Sequence, residues 1–210
     1  LKTPIAIAYS ANDALLNYDT SNDPDKKTKY LTIANKQLKR LGELVENILA
    51  MSMERRKTMK LRPEDIQLRE ITEEIAAAQR MRGDKDITIN VNVADNIVVE
   101  ADKTHLANVL NNLIDNAIKY SDDCVEISIS GDNNEVSVRD NGIGIPSKSI
   151  PYLFNKFYRV PHGNRQDVRG YGIGLYYVKS ILDKMGWGIK VNSVEGKGSV
   201  FTIKFSKDEQ

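Results

Sequence analysis

Asn112-Leu113-Ile114-Asp115-Asn116-Ala117-Ile118-Lys119-Tyr120 is a segment with two faces. Together with Leu106, Val109 and Leu110, its residues Leu113, Ile114 and Ala117 recur at helical spacing. That predicts a helix over about 102–120 with one stripe on a core. Asn112, Asn116 and Lys119 fall at i, i+4 and i+7 and share a second face. Two carboxamides and an ammonium beside apolar residues are costly to bury without partners. A solvated helix surface is the plainer alternative for this segment alone.

Three stretches further along share that need for a ligand. Asp140-Asn141-Gly142-Ile143-Gly144-Ile145-Pro146 follows a predicted strand, about 135–140. Alternate glycines let backbone approach a ligand closely, and a carboxylate at a strand end can accept from an adenine amino group. The same letters also spell an ordinary Asp-Asn-Gly turn. Phe154-Asn155-Lys156-Phe157-Tyr158-Arg159 offers aromatics to anchor a loop and Arg159 to meet phosphate charge, or else core packing beside a surface Arg. Gly170-Tyr171-Gly172-Ile173-Gly174-Leu175 enters a helix predicted over about 172–185. Glycines ahead of a helix N-terminus expose amide donors to phosphate, and the dipole favours the anion. No Gly-Lys-Ser/Thr follows, so this is not a Walker loop, and it lacks the setting of a dinucleotide fold. A magnesium-bound nucleotide would satisfy the asparagine helix as well, because a carboxamide oxygen is a hard ligand and Lys suits phosphate.

The chain around these stretches reads as two parts, 1–58 and 59–210. In the first, Ile5, Ala8, Ala11 and Leu15 predict one helix, and Asp19-Thr20-Ser21-Asn22-Asp23-Pro24 breaks it. Leu31, Ala34, Leu38, Leu41, Val45, Ile48 and Ser52 then step by three and four as a heptad seam, widened by Ile33, Leu44 and Met51. Two such helices cannot cover both apolar faces alone, and a dimeric four-helix bundle is the economical solution. In the second part a helix is predicted over about 67–82, with Leu68, Ile71, Ile75 and Ala78 inward. Ile87–Val93 alternates as a half-buried strand, and Ile97-Val98-Val99 is a further short one. Strands at about 124–130, 135–140, 188–194 and 199–206 complete an α+β sandwich, with helices on one face of a mixed sheet.

Composition narrows the class. The 210 residues are 40% hydrophobic and 28% charged, ordinary for a globular protein. A net charge of +1 gives no field pointing to nucleic acid or a lipid surface, so neither is expected as a partner of this segment. No apolar run approaches the roughly 18–20 residues that span a bilayer. Cys124 is the only cysteine, which fits a reducing setting and predicts a small buried hydrophobe in a strand. The chain opens on Leu1 rather than Met, so a longer protein is expected.

In order, the asparagine helix, the strand-end Asp with Gly-x-Gly, the aromatic-Arg segment and Gly-x-Gly-x-Gly closely resemble the N, G1, F and G2 boxes of bacterial sensor histidine kinases. The resemblance covers about 59–206 and implies the Bergerat (GHKL) ATP-binding fold, shared with gyrase, mismatch-repair and heat-shock chaperone ATPases. Glu195-Gly196-Lys197-Gly198-Ser199-Val200-Phe201 resembles that family's closing hairpin, with Ser199 near adenine. The implied cofactors are ATP and Mg²⁺. Asn116 would hold the metal, Asn112 would stand beside it, and Lys119 and Arg159 would offset phosphate charge. Tyr120 would pack near the base, and Asp140 would read its amino group. Gly142, Gly144, Ile145, Gly170, Tyr171, Gly172, Gly174 and Leu175 would line the site and its lid, expected over 145–171.

Leu1-Lys2-Thr3-Pro4 resembles the tail of the family's H box, His-Glu-Leu-Lys-Thr-Pro, which would place the acceptor histidine two residues before Leu1. His105, expected on a helix surface, and His162, expected in the lid, are not in such a box. The first part would then be the dimerisation and phosphotransfer hairpin of a homodimer. The second would phosphorylate the histidine for passage to an aspartate on a response-regulator receiver domain. Thr3, four residues after that histidine, would orient water in a phosphatase reaction on the regulator. The portion in hand is expected in the cytoplasm, with the longer protein anchored in the inner membrane.

Two other functions remain open at this point. In related ATPases a Glu four residues before the magnesium-binding Asn activates water, and here that position is Asn112, whose carboxamide takes no proton at neutral pH. A self-contained ATPase would release phosphate steadily. A non-catalytic dimerising scaffold would not be stabilised by MgATP.

Overall fold

The computed structural model describes residues 2–17, 26–38, 41, 60–81, 85–161 and 172–206. The chain forms two compact units, Leu1–Met59 and Lys60–Gln210. In the first, α1 runs Lys2–Asn17, and residues 26–38 and 41 are helical. Ala11 is buried, while Ile5, Ile7, Tyr9, Leu31 and Leu38 are exposed. Of the expected inward stripes, Ile5, Leu31 and Leu38 therefore face solvent within one chain, as helices without a second apolar surface must. The break at 19–24 and the seam residues Leu44, Val45, Ile48, Met51 and Ser52 lie outside the described residues.

The second unit is built on a five-stranded mixed sheet. Its strands are β2 (Asp86–Val93), β4 (Cys124–Gly131), β5 (Glu135–Asp140), β6 (Gly188–Val194) and β7 (Gly198–Lys204). They lie in the order β2-β4-β5-β7-β6, with β2 and β4 parallel and the remaining neighbours antiparallel. A separate ribbon pairs β1 (Glu64–Gln67) with β3 (Val98–Ala101), Ile66 opposite Val99. The sequence alone leaves β1 invisible, because Ile66 is its single apolar residue. Burial alternates along the sheet: Val125, Ile127 and Ile129 of β4 are buried, Glu126 and Ser130 are exposed, and Ser128 is half-buried. One apolar face means the helices gather on one side.

Three helices supply that layer: α2 (Leu68–Arg80), α3 (Lys103–Lys119) and α4 (Gly174–Met185). Leu106, Val109, Leu110, Leu113, Ile114, Ala117 and Ile118 of α3 are all buried, which makes α3 the central helix of the core. In α2 the buried face is Leu68, Ile71, Thr72, Ile75 and Ala76. Ala78, expected inward, is exposed, because the stripe follows the 71–72 and 75–76 side of the helix. Thr72 is tolerated inside because its hydroxyl donates to the carbonyl oxygens of Leu68 and Arg69 at 2.8 and 2.9 Å.

Cys124, expected buried, is exposed: it is the first residue of β4, and the apolar alternation starts one residue later. The stretch expected as a loop beyond Asp140 contains a 3₁₀ helix, Ser147–Tyr152, with Ser149 and Leu153 buried. Thus the first half of the expected lid is structured, while 162–171, including His162, lie outside the described residues.

Candidate functional site

Helix α3 positions the site, and both of its ends are tied. At the N-terminus Asp102 is the cap, with Oδ1 accepting from the His105 backbone N at 3.1 Å and Oδ2 from the Arg62 backbone N at 3.0 Å. Burial acts to raise the Asp102 pKa, but these backbone donors and the nearby His105 outweigh it and leave it below the usual carboxylate value. At the C-terminus the Lys85 ammonium donates to the carbonyl oxygens of Ile118 and Ser121 at 2.8 and 2.7 Å, groups that a helix end otherwise leaves open.

The four motif stretches meet around α3. The Ile143 N–H donates to Tyr120 O at 2.9 Å, joining the Asp140 turn to the end of the asparagine helix. The Asp140 Oδ1 accepts from the Gly142 N–H at 2.8 Å and from the Ser199 N–H at 3.1 Å, joining the same turn to β7. Gly144 has φ +69, and a Cβ there would run into the Val194 carbonyl, so only glycine allows the turn to lie against the β6–β7 hairpin. The Ile145 N–H donates to Ser193 Oγ at 2.8 Å, and that hydroxyl lies 3.0 Å from Ser199 Oγ. At the other end, a Cβ on Gly174 would lie 2.8 Å from Asn112 Oδ1, so α4 begins directly against the asparagine helix. The Phe157 N–H donates to Gly172 O at 3.0 Å, joining the aromatic segment to the glycine turn.

Asp140 carries the clearest electrostatic signature. Burial raises its pKa above the usual value, and the Gly142 and Ser199 hydrogen bonds only partly offset this. Both donors go to Oδ1. No hydrogen bond to Oδ2 is present among the described residues.

The other expected residues are placed as follows. Asn116 is half-buried on α3, one turn before Tyr120, whose backbone N–H donates to Asn116 O at 3.0 Å. Lys119 forms an ion pair with Asp115 at 2.5 Å along the helix. The Asn112 side-chain amide donates to Asn108 O at 2.8 Å. Arg159 is exposed, and Leu175 is half-buried in the first turn of α4. Gly170 and Tyr171 lie outside the described residues, and Thr3 belongs to α1 in the first unit.

Three supporting residues went unmarked in the sequence. Asn141 reads as turn filler, yet its Oδ1 accepts from Glu126 N at 3.0 Å and its Nδ2 donates to Cys124 O at 3.1 Å, pinning the Asp140 turn to β4. An Asx residue within a turn was the available signal. Ser193 and Lys85 gave none, since the Ile145 N–H that Ser193 accepts from and the Ile118 and Ser121 carbonyls that Lys85 reaches are distant backbone groups. His105, expected on the surface, is half-buried, with Nδ1 3.1 Å from the Tyr177 hydroxyl of α4.

Comparison with known proteins adds to this geometry. Residues 101–209, which take in α3, α4 and strands β4 to β7, match the family model described as histidine kinase-, DNA gyrase B-, and HSP90-like ATPase. The sensor protein RprX of Bacteroides fragilis (strain YCH46) is 34% identical over 211 residues, which cover 96% of this chain and 40% of that protein. The sensor histidine kinase WalK of Bacillus subtilis (strain 168) is 30% identical over 219 residues, covering 100% and 36%. Among solved structures, a mycobacterial sensor histidine kinase, MprB, is 25% identical with a TM-score of 0.58, over 68% of this chain and 96% of that one. The chain spans less than half the length of these two curated relatives. With its asparagine helix and its glycine turns on the matched span, the chain belongs to the histidine kinase-, DNA gyrase B-, and HSP90-like ATPase family and carries that family's ATP-binding domain.

Proposed function

We propose that this chain is the dimerisation and catalytic portion of a sensor histidine kinase. It binds MgATP beside α3, directs the γ-phosphoryl group to the histidine of the motif whose tail Leu1–Pro4 resembles, and serves a response-regulator aspartate. The observation that carries the reading is the Asp140 carboxylate. Its Oδ1 is held by two backbone donors, which leaves Oδ2 to accept from the amino group of adenine, and only the ionised form can accept at both oxygens.

The donor set suits the remainder of the nucleotide. Asn116 offers a neutral oxygen to magnesium, and the first turn of α4 offers backbone amides to phosphate. Among the described residues no group of three or more His, Cys, Asp or Glu side chains could hold a metal, so magnesium would arrive with the triphosphate supplying most of its oxygens. When bound, the ion would neutralise phosphate charge. Lys119 would exchange Asp115 for a phosphate oxygen, and Arg159 would add a second cation. Phosphoryl transfer is mostly positioning and charge stabilisation, which needs no general base in this unit. Asn112 supplies none: its amide is bound to Asn108 O and its oxygen lies against Gly174.

In the first unit, the exposed Ile5, Ile7, Leu31 and Leu38 support pairing with a second copy in a four-helix bundle. Thr3 would serve the phosphatase reaction on the regulator. Among the described residues no helix is long and apolar enough to cross a membrane.

Calorimetry with MgATP tests the nucleotide site, and the absence of any heat of association at millimolar nucleotide would overturn it. An extended chain carrying the complete histidine motif, incubated with labelled ATP, should acquire an acid-labile, base-stable phosphoryl group. Steady phosphate release without such a label would favour an ATPase instead.

A further inference from the structure

Helices α3 and α4 are in contact, and Leu106, Val109 and Leu110 of the first and Val178 and Ile181 of the second are buried, yet a polar seam runs between them. His105, Asn108 and Asn112 fall at i, i+3 and i+7 of α3. Gly174 and Tyr177 fall at i and i+3 of α4. The Tyr177 hydroxyl lies 3.1 Å from His105 Nδ1. The Asn108 carbonyl in turn accepts from the Asn112 amide, whose oxygen lies against Gly174.

We propose that Tyr177 is a positioning residue for the phosphate end of the nucleotide site. Its hydroxyl, held to His105 of α3, fixes how far and at what rotation the first turns of α4 stand from the helix of Asn116. The inference rests on the reading of Asn116 and the α4 N-terminus as the MgATP site.

An apolar residue at 177 would bury as much surface without choosing one register, because the hydrophobic effect is non-directional. A hydroxyl hydrogen-bonded to one ring nitrogen of α3 does choose. Its proton goes to His105 Nδ1 in the tautomer that leaves that nitrogen bare. Burial raises the Tyr177 pKa and so keeps that proton in place. Asp140 lies outside this seam, on the turn tied to Tyr120 and Ser199. The seam should therefore govern the grip on phosphate and leave the grip on adenine alone.

The test is calorimetry of the whole chain with MgATP and MgADP, with adenosine followed by ligand-observed NMR. Tyr177→Phe keeps the ring and removes only the hydroxyl. It should weaken MgATP by about five-fold, the effect of one net hydrogen bond, with adenosine unchanged. His105→Leu keeps the packing bulk and the backbone N–H on Asp102, removes the ring nitrogen, and should behave alike, so it decides the matter if Tyr177→Phe fails to fold. Equal MgATP affinity in variant and wild type overturns the inference, as does a loss shared in the same proportion by adenosine. A wild type that binds no MgATP removes the proposed function itself and this inference with it.

Discussion

The Ser199 backbone N–H donates to Asp140 Oδ1 at 3.1 Å across 59 residues of chain. One carboxylate oxygen thereby ties β5 to the β6–β7 hairpin while the other takes no hydrogen bond among the described residues. Asp140→Asn should separate these two jobs. The amide oxygen still accepts from Gly142 and Ser199, but an NH₂ group replaces the second oxygen and opposes an incoming amino donor. MgATP affinity should fall by about ten-fold or more with the melting temperature unchanged or raised. Wild-type affinity by calorimetry would remove Asp140 from the adenine reading.

The pH dependence of the same residue has a definite sign. Its folded-state pKa is raised by burial, so the folded state binds the proton more tightly than the unfolded one. Stability contributed at Asp140 therefore declines as pH rises from the ordinary carboxylate value through the raised one. Asp140→Asn should flatten that part of a stability-against-pH curve measured by denaturant titration. An unchanged curve would mean that the carboxyl does not titrate as its burial requires.

Asp102 should show the opposite sign. Its folded pKa is lowered, so its contribution is complete above the unfolded value and is lost as pH falls through the folded one. Asp102→Ala removes the cap of α3 and the tie to Arg62, and should cost about 1–2 kcal/mol near neutral pH. Asp102→Asn, also a good cap, should cost less. Equal losses for the two in chemical denaturation would contradict the capping role.

Gly144→Ala combines a left-handed backbone with a collision against the Val194 carbonyl. The expected cost is on the order of 2–3 kcal/mol, larger than a loop glycine without either feature would show. Gly186, also at positive φ but in open space, gives the internal control. A thermal melt in which Gly144→Ala falls no further than Gly186→Ala would show that the turn yields easily.

Lys85→Met keeps the aliphatic stem and removes the ammonium from the two carbonyl oxygens at the end of α3. About 1–2 kcal/mol of stability should be lost. Amide exchange at Tyr120, whose N–H closes that last turn onto Asn116 O, should accelerate relative to residues in mid-helix. Unchanged exchange there would show that the turn holds without Lys85.

Periodicity carried most of the catalytic unit's fold. Helix α3 was legible to within a residue or so, because seven of its residues are buried at regular spacing. The antiparallel strands were legible for the same reason, since β4 and β5 alternate cleanly. What periodicity could not carry was anything resting on one residue. β1 has a single buried side chain and exists by pairing with β3. Cys124 lies at the strand end where the alternation has not yet begun. The chemistry-bearing stretches were visible through their glycines and their order, but their cross-ties were not. Asn141, Ser193 and Lys85 act on backbone groups far along the chain, and the His105–Tyr177 contact joins residues 72 apart on two helices.

Strand β7, the last of the five in chain order, lies between β5 and β6 rather than at the rim of the sheet. A nascent chain that has reached only β6 must hold β5 as an unpaired edge and leave Asp140 without its Ser199 donor. Nucleotide should thus be unable to assist the early stages of folding on the ribosome. Truncations before residue 198 should aggregate rather than persist as a smaller binding module.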